Sequence, residues 1–275
     1  MNQALAVVAA FFYGFADFGG GVATRRLPVW RVMAWAQLLG VGLLAIGLLI
    51  VPASEITTRD LFFGIVAGLA GLFGLTVLYL ALAEGTMAIV APISGAIAAA
   101  VPVVADVLVG PGLNTRQWIG VGLALGAVAL VGIDPGMKGS DRRWLLGAIA
   151  SGLGFGFFYV ALGQTDAASG LWPLVAARVT SIPIAFLIAA AIGVAAVPTG
   201  RALGLVALVG NLDMAANIFT ALALQRGPTG VTAVLVSLYP AVTAVTAMVL
   251  LRERPTSRQL FGITLALAAL VALVG

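Results

Sequence analysis

The 275-residue chain contains no cysteine and no histidine, and its one lysine is Lys138. Without cysteine there is no disulfide framework, no thiolate nucleophile and no cysteine-based metal site. Without histidine the commonest metal ligand is gone, together with the side chain that titrates most readily near pH 7. No glycine-rich loop runs into Lys-Ser or Lys-Thr, so energy from bound ATP is not expected. These absences predict no catalytic residue, no metal site and no cofactor. Charge is scarce as well, at 9% of residues, where a soluble domain carries about 25%. What the chain has is apolar: 62% hydrophobic residues and a mean hydropathy of +1.15. That composition cannot make a water-facing surface, so an integral membrane protein is expected. The pI near 10.1 is no nucleic-acid signal, because the net charge is only +4 and the basic residues are spread over loops.

A bilayer crossing takes about 20 apolar residues. Such runs fall at 3–22, 31–51, 61–82, 87–109, 117–134, 144–163, 171–196, 202–223, 229–250 and 259–275. The runs are unbroken, whereas strands of a membrane barrel would alternate every second residue. The first run starts from Met1, Asn2 and Gln3 without positive charge and contains Asp17. It reads as span one and not as a cleaved signal.

Shifted by 142 residues, the chain lies on itself. Gly14 meets Gly156, Trp30 meets Trp172, Arg59 meets Arg201 and Gly68 meets Gly210. Arg116, Gln117 and Gly120 meet Arg258, Gln259 and Gly262, and Leu123-Ala124-Leu125 meets Leu265-Ala266-Leu267. The expected units are residues 1–135 and 143–275, joined by a linker at 136–142. Five spans per unit is an odd number, so the copies insert upside down relative to each other. The expected fold is therefore all-α and membrane-embedded, with ten transmembrane helices as two inverted five-helix repeats. Inverted repeats are a common build of secondary transporters.

Loop charge sets the expected orientation. The loops after spans one, three, five, seven and nine carry ten of the fourteen Lys and Arg residues, and the opposite loops carry only Arg59, Arg116 and Arg226. Positive loops stay cytoplasmic, which places both termini outside the cytoplasm. Equivalent positions differ accordingly: Arg25 and Arg26 lie over Ala167 and Ala168, and Arg252 and Arg254 over Gly110 and Gly112.

A charge in mid-span costs about 2.5–3.5 kcal/mol or more and needs a reason. Span eight holds Asn211, Asp213, Asn217 and Thr220, with Asp213 and Asn217 four apart on one helix face. Their equivalents are Gly71 and Leu75, so this position is polar in one copy only. Asp213 and Asn217 read either as a substrate or proton site near the midplane, or as a buried structural pair. Arg178, over Ala36, is the remaining basic residue and lies inside span seven. It meets Asp213 as a counter-ion or a substrate carboxylate. Asp17 and Gln37 are further polar candidates, whereas Asp106 reaches interfacial water and Glu84 sits at a span end. Tyr79, Tyr159 and Tyr239 add hydroxyls that can bind an amphipathic solute. Spans four and nine are expected to be broken by Pro92 and Pro102 and by Pro240, which makes these prolines hinge candidates. Gly64, Gly68 and Gly71 allow span three to pack closely on a neighbour.

The repeat-ending stretch runs Ser237-Leu238-Tyr239-Pro240, a second apolar run, then Leu251-Arg252-Glu253-Arg254-Pro255-Thr256 leading to Gly262. With ten spans and a five-span duplication, it resembles the EamA domains of the drug/metabolite transporter superfamily. The first copy departs from the pattern, with Pro111 where the second has Glu253. The resemblance implies alternating access around a central cavity between the repeats, and among family members the YddG-type amino-acid exporters are the nearest comparison. The expected function is export of small amphipathic metabolites, amino acids first, across a bacterial inner membrane. The alternatives are a multidrug or cation carrier or a nucleotide-type metabolite carrier of the same fold. More distant readings are a membrane-embedded enzyme and a non-transporting receptor. The expected partners are the bilayer and a small-molecule substrate, with no nucleic acid, and the expected state is a monomer and not a homodimer.

Overall fold

The computed structural model describes residues 2–109, 115–116, 118–120, 122–123, 126, 139–227, 229–254 and 256–274. The described residues contain no strand. Their long elements are α1 (Asn2–Thr24), α2 (Val29–Ile50), α3 (Thr58–Glu84), α4 (Met87–Val109), α5 (Gly139–Leu162), α6 (Trp172–Ala191), α7 (Gly200–Leu224), α8 (Thr229–Val236), α9 (Tyr239–Leu250) and α10 (Ser257–Val274). Among the described residues eight stretches are long and apolar enough to cross a bilayer, with α8 and α9 together making one of them. They match expected spans one to four and six to nine, and α10 covers span ten. Most of span five lies outside the described residues, as do Pro111, Lys138 and the side chain of Asp106. Helix α5 begins at Gly139, inside the expected linker.

The prolines act differently from expectation in one of the two spans expected to break. Helix α4 runs on through both Pro92 and Pro102 as a single helix. Each proline removes only one backbone donor, and the helix absorbs that loss. Span nine does break, between Val236 and Tyr239, and Pro240 sits in the first turn of the following helix. A proline there sacrifices an amide that has no helical partner anyway. The sequence also places Pro183 inside α6.

Helix neighbours exchange under the 142-residue shift. Helix α3 packs along α5 as α1 packs along α7, and α3 crosses α6 as α2 crosses α7. Glycine sets both crossings. A Cβ on Gly68 would lie 2.6 Å from the carbonyl oxygen of Ala177, and one on its equivalent Gly210 would overlap the carbonyl oxygen of Ala36. Backbone therefore touches backbone at both places, which only small residues permit. Gly64 meets Pro173 in the same way. The expected close packing of α3 is thus present, with α6 as the neighbour.

At one end of the bundle Thr57 and Asp60 form a reciprocal cap on α3. Asp60 also accepts the amide of Asp166 at 2.9 Å, and Ser54 donates its amide to Ala168 O at 2.9 Å.

Candidate functional site

Helices α6 and α7 both pack on α2 and barely touch each other, and Arg178 and Asp213 meet across the space between them. Arg178 Nη2 lies 2.8 Å from Asp213 Oδ2, and both side chains are largely buried, at 13% and 8% exposure. Arg178 Nη1 donates to Gln37 Oε1 at 3.1 Å, reaching across to α2. Ser181, one turn along α6, donates to the same Gln37 oxygen. Asn217 turns back on its own helix, donating to the Asp213 backbone carbonyl at 2.7 Å. Asn211 lies apart: it is exposed and donates to Ala207 O. A buried ion pair repays its desolvation only with good geometry and extra hydrogen bonds. Arg178 has a close ion pair with α7 and one further bond to α2, while its Nε has no partner among the described residues.

This pair lines a cleft with Tyr13, Gly71, Leu75, Phe155 and Phe158, among others. The lining follows the repeat. Gly71 stands at the position equivalent to Asp213, Leu75 to Asn217, and Tyr13 to Phe155. Equivalent residues of both halves thus meet at one cleft, with an apolar wall from α3 and α5 and a polar wall from α6 and α7. The cavity measures about 20 Å³, room for one water and not for a metabolite. On its other side Arg178 lines a wider apolar groove of about 380 Å³ between α2 and α6, with Leu44, Val179 and Pro183. Its ion-pair partner Asp213 lines the cleft and not this groove.

The other candidates sit behind this cleft. Tyr79, Tyr159 and Tyr239 are buried almost completely in the core, and the tyrosine that lines the cleft is Tyr13. Tyr239 packs edge-on against both Tyr13 and Phe155, with centroids 6.1 and 6.3 Å apart. Asp17 is 2% exposed, and its Oδ1 has no hydrogen-bond partner among the described residues, nor has the Tyr79 hydroxyl. The two are near neighbours: the Tyr79 ring lies against Gly20, three residues on from Asp17 along α1. Pro240 touches the cleft only through its neighbour, since its ring packs on Gly95 of α4. Sequence reasoning does not single out Ser181, and it notes Tyr13 and Phe155 only as members of the aromatic clusters of spans one and six, a few of which are expected to line a cavity. Ser181 was findable, being three residues after Arg178 on the same helix face. Within the described residues no cluster of three or more acidic side chains suited to a metal is present.

The EamA-like transporter family model matches residues 3–133 and again 142–275. A solved structure described only as "Crystal structure of protein" superposes with a TM-score of 0.68 at 17% identity, covering 98% of this chain and 94% of that one. At that identity the likeness is one of fold. No curated protein matches by sequence. The chain belongs to the EamA-like transporter family, within the drug/metabolite transporter superfamily, and is a multi-pass membrane protein.

Proposed function

We propose that this family member exports small amphipathic metabolites, amino acids first, across a bacterial inner membrane. It works by alternating access between two inverted five-helix repeats. The observation that carries the reading is the cleft with one apolar and one polar wall, built from equivalent positions of the two halves. An amino acid matches both walls. Its carboxylate takes the place of Asp213 on Arg178, its ammonium takes the place of Arg178 on Asp213, and its side chain lies against Phe155, Phe158 and Leu75. A zwitterion inserted into an ion pair leaves no buried charge unpaired, which keeps the desolvation cost low. The present cavity is too small for this, so the pair has to part for the solute to enter. Both termini lie outside the cytoplasm in this reading, and the chain acts as a monomer.

A carrier of organic cations is the second reading. Asp17 favours it: a buried carboxylate beside tyrosine rings, with one oxygen unpartnered, suits a cation. Counterflow in reconstituted vesicles decides between them. The test set is an amino acid, its deaminated acid and its decarboxylated amine. The amino-acid reading expects flux of the zwitterion well above both analogues. Amine flux equal to or above it would replace this reading with the cation carrier. An imposed pH gradient, applied to wild type and Asp17→Asn, then shows whether a proton moves in exchange.

A further inference from the structure

Helix α9 ends at Leu250, and Arg252 follows with φ 55°, the one left-handed non-glycine residue among those described. A turn of that kind after a helix is ordinarily given to glycine. Here it leads the chain to Glu253, whose carboxylate reaches the start of α4. Oε2 accepts the Ala88 amide at 2.9 Å, and Oε1 accepts the Met87 amide at 3.2 Å and Arg25 Nη2 at 3.4 Å. Arg25 also donates to the carbonyl of Leu82, near the end of α3, at 3.5 Å. A carboxylate on the free amides of a helix start meets the positive end of the helix dipole. Glu253 thereby joins the end of α1, the α3–α4 turn and the α9–α10 loop. The first two belong to the first half of the chain and the loop to the second.

The geometry points to a latch: Glu253 holds this end of the bundle shut across the two halves, and each transport cycle releases it from α4 and Arg25. This rests on the alternating-access reading. Arg25 is 34% exposed, so water can take the place of its bond to Glu253, whose own side chain is largely buried at 12%. The far end is tied differently. There the halves are joined by Asp60 accepting the Asp166 amide and by Ser54 donating its amide to Ala168 O, with no carboxylate set on a helix start of the other half. The latch also has no counterpart in the sequence of the first copy. Glu253 is replaced there by Pro111 and Arg25 corresponds to Ala167. A one-sided latch biases the resting protein toward the state closed at the Glu253 end.

The native chain lacks cysteine, so one introduced cysteine reports one site. Ala91 is buried one turn into α4 at the latch end, and Ala161 is buried near the end of α5 at the far end. Ala91→Cys and Ala161→Cys are each combined with Glu253→Gln in full-length protein in liposomes. Labelling by a soluble maleimide is then timed without substrate. The latch predicts faster labelling at Ala91→Cys by roughly tenfold or more, the factor expected when a charge-assisted hydrogen bond is lost. It predicts unchanged or slower labelling at Ala161→Cys. Arg25→Gln, which leaves both α4 amide bonds in place, should shift the rates in the same direction by less, and it carries the test if Glu253→Gln does not fold. An unchanged rate at Ala91→Cys overturns the latch. So does an equal rise at both sites, which would make Glu253 a support of the whole fold. Because labelling needs no substrate, failure here leaves the counterflow result standing. Absent flux with shifted labelling rejects the transport reading instead.

Discussion

Two walls face each other across the cleft, and they occupy equivalent positions of the two halves. Helix α3 presents Gly71 and Leu75, whereas α7 presents Asp213 and Asn217. The helices share their scaffold. Gly68 seats α3 on α6 by backbone contact, and Gly210 seats α7 on α2 in the same way. One turn beyond those glycines the likeness ends, and only α7 carries charge. The repeat therefore supplies two matched surfaces at the centre of the bundle, and divergence at a few positions makes one apolar and the other polar. A solute with one charged end and one apolar end needs that division.

Removing the charge on the polar wall should have the largest effect. Arg178→Ala leaves Asp213 buried without its counter-ion and leaves Gln37 Oε1 with one donor fewer. Breaking one partner of a buried pair costs on the order of 3–5 kcal/mol. We expect flux at background and a clearly lowered melting temperature in detergent. Arg178→Met with Asp213→Leu should recover most of the melting temperature and none of the flux. If the double variant still transports, the polar wall is scaffold and the comparison between the walls loses its meaning.

Much of this division was legible in the sequence. Apolar runs of span length and a gap-free repeat follow directly from bilayer thickness and from duplication. Arg178 and Asp213 stood out because a charge inside a span needs a partner, and each was the other's nearest option. Which side of a helix faces the centre was less legible. Nearly every position is apolar, so the contrast that usually marks the inner face is weak. The sequence therefore did not separate Tyr13, which lines the cleft, from Tyr79, Tyr159 and Tyr239, which pack behind it. The prolines misled for a related reason. A proline reports one lost hydrogen bond, and whether the helix continues depends on its neighbours, as α4 and the α8–α9 break show.

The shared part of the walls gives the next prediction. If Gly68 and Gly210 do the same work, Gly68→Ala and Gly210→Ala should be about equally harmful. Each added methyl meets a carbonyl that belongs to the neighbouring helix backbone and cannot swing aside. Overpacking of this kind costs about 1–3 kcal/mol. Gly42, on the same helix α2 that Gly210 touches, has open space around it. Gly42→Ala should be neutral or raise stability by up to about 1 kcal/mol, as alanine favours the helix. Thermal unfolding followed by tryptophan fluorescence reads all three variants. A harmless Gly210→Ala would mean that α2 and α7 are not held at backbone contact in the membrane.

The smallest expected effect sharpens the comparison by making the walls more alike. Leu75→Asn places on α3 the side chain that α7 carries at Asn217. The cost to the fold should be modest, because an asparagine on a helix can donate to the carbonyl four residues earlier. Asn217 does so to Asp213 O at 2.7 Å, and the matching acceptor for residue 75 is the carbonyl of Gly71. What changes is the surface met by the solute. The charged pair is untouched, so flux of small polar amino acids should stay near wild type. Amino acids with large apolar side chains lose a contact on the apolar wall, and their flux relative to the small ones should fall roughly tenfold, the usual scale for a change of this size in an apolar pocket. Parallel counterflow of the two substrate classes measures that ratio directly. An unchanged ratio would show that the solute's side chain does not rest on α3, and would leave the rings of Phe155 and Phe158 on α5 to receive it.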